Sequence, residues 1–230
     1  MKQISEHVYQ IALGAVNVFL IEDGNELTLV DCGYPNSADK IFAAVKKAGK
    51  DPQNIKQLIL THTHPDHAGS AAEIKRRLDI PVLCHFEDAK LIAKGVAGRL
   101  PFVLAPGIIN WLVFNLLIKR TPNKVEPVII DHQLNDNDLL SIAGGVKVIH
   151  TPGHSLGHIA LLVQKANLLI AGDICANVFG LGLSPVYEDI ETGKQSILKA
   201  ANFGFEKAVF GHGKEITSAA SAKLKAKFGR

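Results

Sequence analysis

The stretch that most constrains this chain is residues 61–70, THTHPDHAGS. Six consecutive positions hold His62, His64, Asp66 and His67. With ten histidines in 230 residues, an HxHxDH pattern arises by chance in roughly one such chain in a thousand. The run leaves an apolar strand, Leu58-Ile59-Leu60, and enters a helix that Gly69 or Ser70 can begin. Loops at strand ends are where sites are usually built. Residues two apart on an extended chain project to one side, so His62 and His64 face together. Pro65 disfavours helical geometry at His64, and Asp66 and His67 fall where the chain turns. A natural arrangement is one metal held by His62 and His64 and a second by Asp66 and His67. Each site then needs further ligands, since zinc commonly takes four. A polar surface loop is the plainer alternative.

Further candidates recur in one context. His154 lies in TPGHSLG, Asp173 ends IAGD, and His212 lies in FGHG. Each follows an apolar strand and is flanked by glycine or proline, which is how a sandwich delivers ligands to one edge. The surrounding pattern agrees. Strands are expected at 7–11, 16–22, 26–31, 57–60, 81–84, 127–130, 145–150, 159–164, 168–171 and 207–210. Helical spacing marks 36–48 (Ser37 as its cap), 70–78, 87–94, 190–202 and 218–228. Two runs of hairpin-linked strands, each followed by helices, point to two packed sheets with helices outside.

The ordered set LVDCG (29–33), THTHPDHAG (61–69), TPGH (151–154), GD (172–173) and GHG (211–213) resembles the metallo-β-lactamase superfamily and spans most of the chain. The resemblance implies an α/β fold, the αββα four-layer sandwich, as one domain over residues 1–230 with a helical insertion around 95–125. It also implies a dinuclear metal site. His62, His64 and His154 would hold the first metal, and Asp66, His67 and His212 the second, with Asp173 bridging. Asp31 would stand behind a ligand histidine and support it. Zinc is the expected ion; His and Asp donors also suit iron or manganese. Two ions about 3.5–4 Å apart lower the pKa of a shared water enough to give hydroxide at neutral pH. The implied activity is a metallohydrolase acting on the carbonyl of an ester, thioester or lactone, with Asp66 orienting the nucleophile or passing a proton.

Aspartate at 173 is similar to glyoxalase II, the lactonases and phosphodiesterase-like branches rather than to true β-lactamases, which carry cysteine or serine there. The segment after His212 is short for the glutathione-binding extension of glyoxalase II. The tyrosine that lactonases place three residues after the bridging aspartate is replaced by Ala176, and nothing in the sequence aims Tyr187 at the metals. Two alternatives stay open: a mononuclear iron persulfide dioxygenase, and a phosphodiesterase or nuclease. Net charge is only +3, and the basic clusters are short, so nucleic acid is not the expected partner; a small molecule is. Cys32, Cys84 and Cys175 are scattered singly and read as buried side chains. Their spacing, with no leader-like segment, suits the cytoplasm. His7 and His132 read as exposed, while His85, His150 and His158 lie close enough to the motifs to bond a ligand residue.

One segment breaks the pattern. Residues 102–120 read FVLAPGIINWLVFNLLIKR. The uninterrupted apolar part, 108–118, is 11 residues long, against about 20 for a membrane-spanning helix. It is expected as a lid or pocket wall, with Phe102, Trp111, Phe114 and Leu117 as substrate contacts. Core packing or a homodimer interface is the main alternative, and a membrane-surface role the third.

Overall fold

The computed structural model describes residues 1–229. Along the chain come β1 (Lys2–Gln3), β2 (Val8–Ala12), β3 (Asn17–Asp23), β4 (Glu26–Val30), α1 (Ala38–Lys47), β5 (Ile55–Ile59), the one-turn α2 (Pro65–Ala68), α3 (Ala71–Leu78), β6 (Val82–His85) and α4 (Phe86–Ile92). Next are β7 (Val103–Leu104), α5 (Ile108–Val113), a π-helical continuation over Phe114–Ile118, and β8 (His132–Leu134). The rest carries β9 (Leu139–Leu140), β10 (Val146–His150), β11 (Ile159–Val163), β12 (Leu168–Ile170), β13 (Val186–Tyr187), α6 (Ile190–Ala201), β14 (Lys207–Val209) and α7 (Ala220–Phe228).

One sheet has the order β1-β2-β3-β4-β5-β6-β8 and the other β14-β12-β11-β10-β9. Side chains alternate across each strand, and this alternation builds the layers. On β3, Val18 and Leu20 face the helices α1, α3 and α4, while Phe19 and Ile21 face the opposite sheet. On β11, Ile159, Leu161 and Val163 meet the first sheet, while Ala160 and Leu162 pack towards α6 and α7. Three apolar cores therefore separate four layers, the αββα sandwich. Each fully buried Phe, Leu or Ile contributes about 1.5–3 kcal/mol of transfer free energy to it.

Strand direction positions the site. Strands β4, β5, β6 and β8 run parallel. Strands β10, β12 and β14 share a direction too, because β11 is antiparallel to both β10 and β12 and β14 is parallel to β12. Hydrogen bonds join the sheets where these strands end. The Ile159 N–H donates to the Thr61 carbonyl at 2.9 Å, and the Asn17 N–H to that of Gly211 at 2.8 Å. The residues following β4, β5, β10, β12 and β14 thus converge on one edge.

Some expectations shift. The strand expected over 127–130 lies instead at His132–Leu134. Pro127 has no N–H to donate, and the Asp131 carboxylate accepts the Val82 N–H at 2.8 Å, so strand pairing begins only beyond it. Ser37 occupies the α1 cap position without a side-chain cap bond. The short strands β1 and β9 have no visible sequence signal. Residues 95–125 are closed at their base by the Val96–Lys124 bridge and are not purely helical, since β7 pairs with β13. Among the described residues, no helix is long and apolar enough to cross a membrane.

Candidate metal centre

All seven sequence-selected histidines and aspartates come together at this edge, in three overlapping groups: His62, His64 and His154; His62, His67 and Asp173; and Asp66, His67 and His212. In the first, His62 Nε2 lies 3.1 Å from His64 Nδ1, and His154 Nε2 lies 3.2 Å and 3.0 Å from those two atoms. In the last, His212 Nε2 is 3.2 Å from Asp66 Oδ2 and 3.2 Å from Asp173 Oδ2. Asp173 lies between the groups. Its Oδ1 is 3.5 Å from His67 Nε2 and its Oδ2 3.7 Å from His154 Nε2.

Partners behind the cluster fix which nitrogen faces inward. Asp31, fully buried, accepts the Thr61 N–H on Oδ1, and the Thr61 hydroxyl and His67 Nδ1–H on Oδ2, all at 2.8 Å. The Thr61 oxygen is then free to accept His62 Nδ1–H at 3.0 Å. His154 Nδ1–H donates to the Val186 carbonyl at 2.8 Å, and His212 Nδ1–H to that of Ala15 at 2.7 Å. The Nε2 lone pairs of His62 and His154 are therefore bare and aimed at each other. One proton can bridge at most one pair in this triangle of nitrogens. A cation held at about 2.0–2.1 Å in a tetrahedron separates its nitrogens by about 3.3 Å, close to the spacing observed. Buried His67 Nε2 and Asp173 Oδ1 have no hydrogen-bond partner, so the second half also fits a cation.

The electrostatics divide the cluster. Burial, with the neighbouring histidines, pushes His62 well below its ordinary range, and burial with His64 takes His154 down to about 3. Burial also opposes the charge on His67, but Asp173, Asp66 and Asp31 hold it up to about 10. Burial would likewise raise Asp66, yet His67 and His212 hold it below the usual carboxylate range. One end is thus a neutral nitrogen triangle and the other a set of charged partners.

The cluster lines a cavity of about 1240 Å³. His64, Asp66, His154, Asp173 and His212 reach it, and Phe102, Ile109, Val113 and Leu117 line its wall. The Phe102 ring stands edge-on to His64, with centroids 5.6 Å apart. Trp111 and Phe114 are not on the cavity wall. Tyr187 is fully buried, and its hydroxyl donates to the Ile174 carbonyl at 2.6 Å. It has no free phenol to offer a substrate.

Three residues had weak or no sequence signal. His158 Nε2 accepts the Asp173 backbone N–H at 2.9 Å, holding the main chain from which that carboxylate projects; its proximity to TPGH was the only hint. Asp88, fully buried on α4, accepts from Ser155 Oγ, the Gly157 N–H and Arg99 Nη1 at 3.0–3.3 Å. It clamps the His154 loop to the start of the 95–125 segment. Tyr34, directly after LVDCG, lines the cavity. Burial and the carboxylates of Asp66 and Asp173 raise its phenol, so it keeps its proton.

Asp31→Asn tests the support behind the cluster. Asparagine tolerates the left-handed backbone at this position (φ 60°). With its amide oxygen on the Thr61 N–H, however, its NH2 would face two donors, His67 Nδ1–H and the Thr61 hydroxyl. Metal affinity is expected to fall about 10–100-fold, read by competition with a chelator.

Sequence and structure comparisons agree with this geometry. The metallo-beta-lactamase superfamily model matches residues 11–212. The probable metallo-hydrolase YflN of Bacillus subtilis is 28% identical, over 94% of this chain and 87% of its own. The atrochrysone carboxyl ACP thioesterase of Aspergillus fumigatus is 26% identical over 90% of this chain, which spans 53% of that enzyme. Among solved structures, a metallo-beta-lactamase family protein from Thermus thermophilus superposes with a TM-score of 0.71 at 23% identity, covering 98% of this chain and 80% of that one. With the αββα layers, the clustered His and Asp side chains and a family match over residues 11–212, the chain belongs to the metallo-beta-lactamase superfamily and is a metallohydrolase of it.

Proposed function

We propose that this chain uses two metal ions to hydrolyse an acyl ester, thioester or lactone whose acyl part is apolar and extended. The observation that carries this reading is the cavity, with charged and ligating side chains at one end and an apolar wall from residues 102–118. Its volume exceeds the roughly 300–1,000 Å³ of ordinary small-molecule pockets, which suits a long chain. The thioesterase among the relatives supports acyl transfer chemistry. We read residues 1–230 as one metallo-β-lactamase-like unit with 95–125 as its pocket wall.

In this reading His62, His64 and His154 would hold one ion and Asp66, His67 and His212 the other, with Asp173 available to either. The donor set suits zinc and accommodates iron or manganese. Bound there, such ions supply Lewis acidity towards a carbonyl oxygen and lower the pKa of water. Asp66 reaches the cavity from the turn of α2. It orients the attacking water and carries its proton towards the leaving group. Tyr34, protonated, donates a hydrogen bond to the substrate oxygen on which negative charge develops.

Protein of measured metal content should be tested on acyl esters, acyl thioesters, lactones, phosphodiesters and RNA. The expected result is turnover of acyl substrates that rises with chain length, with two ions per chain. Turnover confined to phosphodiesters overturns the reading, as does a single tightly held iron with consumption of a thiol persulfide. Tyr34→Phe is expected to lower kcat about 100-fold. KM should change little, because the bond matters chiefly in the transition state.

A further inference from the structure

Residues 108–118 form a helix that is apolar on nearly every side, yet none of its side chains is buried. A helix apolar all round is normally found inside a protein or a membrane. The helix has two faces. Ile109, Val113 and Leu117 turn to the cavity wall. Trp111, Leu112 and Leu116 lie off that wall and are 51%, 42% and 69% exposed. Cavity binding therefore accounts for only part of the apolar surface.

The helix's few polar groups are withdrawn onto its own backbone. The Asn110 and Asn115 amides donate to the carbonyls of Pro106 and Trp111, each at 2.9 Å, and the Thr121 hydroxyl to that of Leu117 at 2.9 Å. These bonds need neither water nor a protein partner. At the end of the helix, Lys119, Arg120 and Lys124 are exposed, and none forms an ion pair among the described residues. An apolar face with a tryptophan, closed by unpaired cations, has the chemistry of an interfacial helix on an anionic bilayer.

We propose that the outer face of residues 108–120 seats on an anionic lipid surface, with Trp111, Leu112 and Leu116 entering the headgroup–acyl boundary and Lys119, Arg120 and Lys124 meeting lipid phosphates. The opposite face of the same helix lines the cavity, so docking brings the cavity wall to a source of apolar molecules. The surface binding is independent of which bond the enzyme cleaves, and its test needs no substrate.

Trp111 is the only tryptophan in the chain, so its fluorescence reports the contact directly. The metal-loaded protein is mixed with vesicles of phosphatidylcholine, with or without phosphatidylglycerol. The expected result is emission shifted to shorter wavelength and flotation with the anionic vesicles, both weakening as salt rises. Lys119→Gln with Arg120→Gln is expected to weaken partitioning about 30-fold. Leu112→Ser with Leu116→Ser should abolish flotation while metal content and the circular dichroism spectrum stay unchanged. No shift and no flotation with either vesicle overturns the proposal, as does undiminished flotation of the leucine double variant. A shift that develops with protein concentration alone, alongside dimer formation in sedimentation, also overturns it and identifies the face as a contact between two copies of the chain.

Discussion

His62→Ala is expected to reduce hydrolysis by at least about 1,000-fold, beyond the 10–100-fold typical of residues one layer behind a metal. His62 belongs to two of the three groups able to hold a metal, so its loss opens the nitrogen triangle and removes a donor beside His67 and Asp173. The metal-free fold should survive, because the ring is held neutral by burial and leaves other neutral nitrogens behind. The check has two parts. Thermal unfolding of metal-free wild type and variant should coincide within a few degrees. Added zinc should then raise the midpoint of wild type far more than that of the variant, as expected when a ligand binds only the folded state. Equal metal stabilisation of both proteins would remove His62 from the ligand set.

Gly211→Ala is the second large effect, and it arises from space alone. A methyl group there would sit 2.2 Å from Asp173 Oδ1 and 2.6 Å from His67 Cε1. Ordinary carbon contacts begin near about 3.5 Å, so both side chains must move by about 1 Å. Displacement of that size at a reacting centre costs about 100-fold in rate, and overpacking about 1–3 kcal/mol of stability. Steady-state kinetics and metal titration together test this. Unchanged kcat with unchanged metal affinity would show that the cluster tolerates the shift. Gly172 is constrained similarly. Its φ is +54°, and a methyl would lie 2.6 Å from His158 Nε2. Glycine beside Asp173 and before His212 therefore answers to the crowding of the cluster as much as to turning the chain.

Much of the fold was legible because short apolar runs mark strands locally. β3 and β11 show themselves in five to seven residues as strands buried on both faces, while the layer that each side chain meets is set by the packing. The strand at 132–134 was misplaced for the same reason: the bond from the Val82 N–H to the Asp131 carboxylate joins residues 49 apart, and no local pattern encodes it. Among the site residues, HxHxDH stood out because its spacing is compact. Asp88 and Tyr34 did not, since each is one polar residue in an ordinary context, and only the loops brought against them give them a role.

The sequence alone determined the layered class and the residues able to bind metal, because periodicity and donor chemistry are properties of short segments. Tertiary structure decided how the donors pair, which nitrogen of His62, His154 and His212 faces inward, and that Tyr187 is sealed away while Tyr34 lines the cavity. It also decided that residues 108–118 face both the cavity and the outside. These outcomes depend on hydrogen bonds and packing between segments far apart in the chain, such as His154 to Val186 and His212 to Ala15.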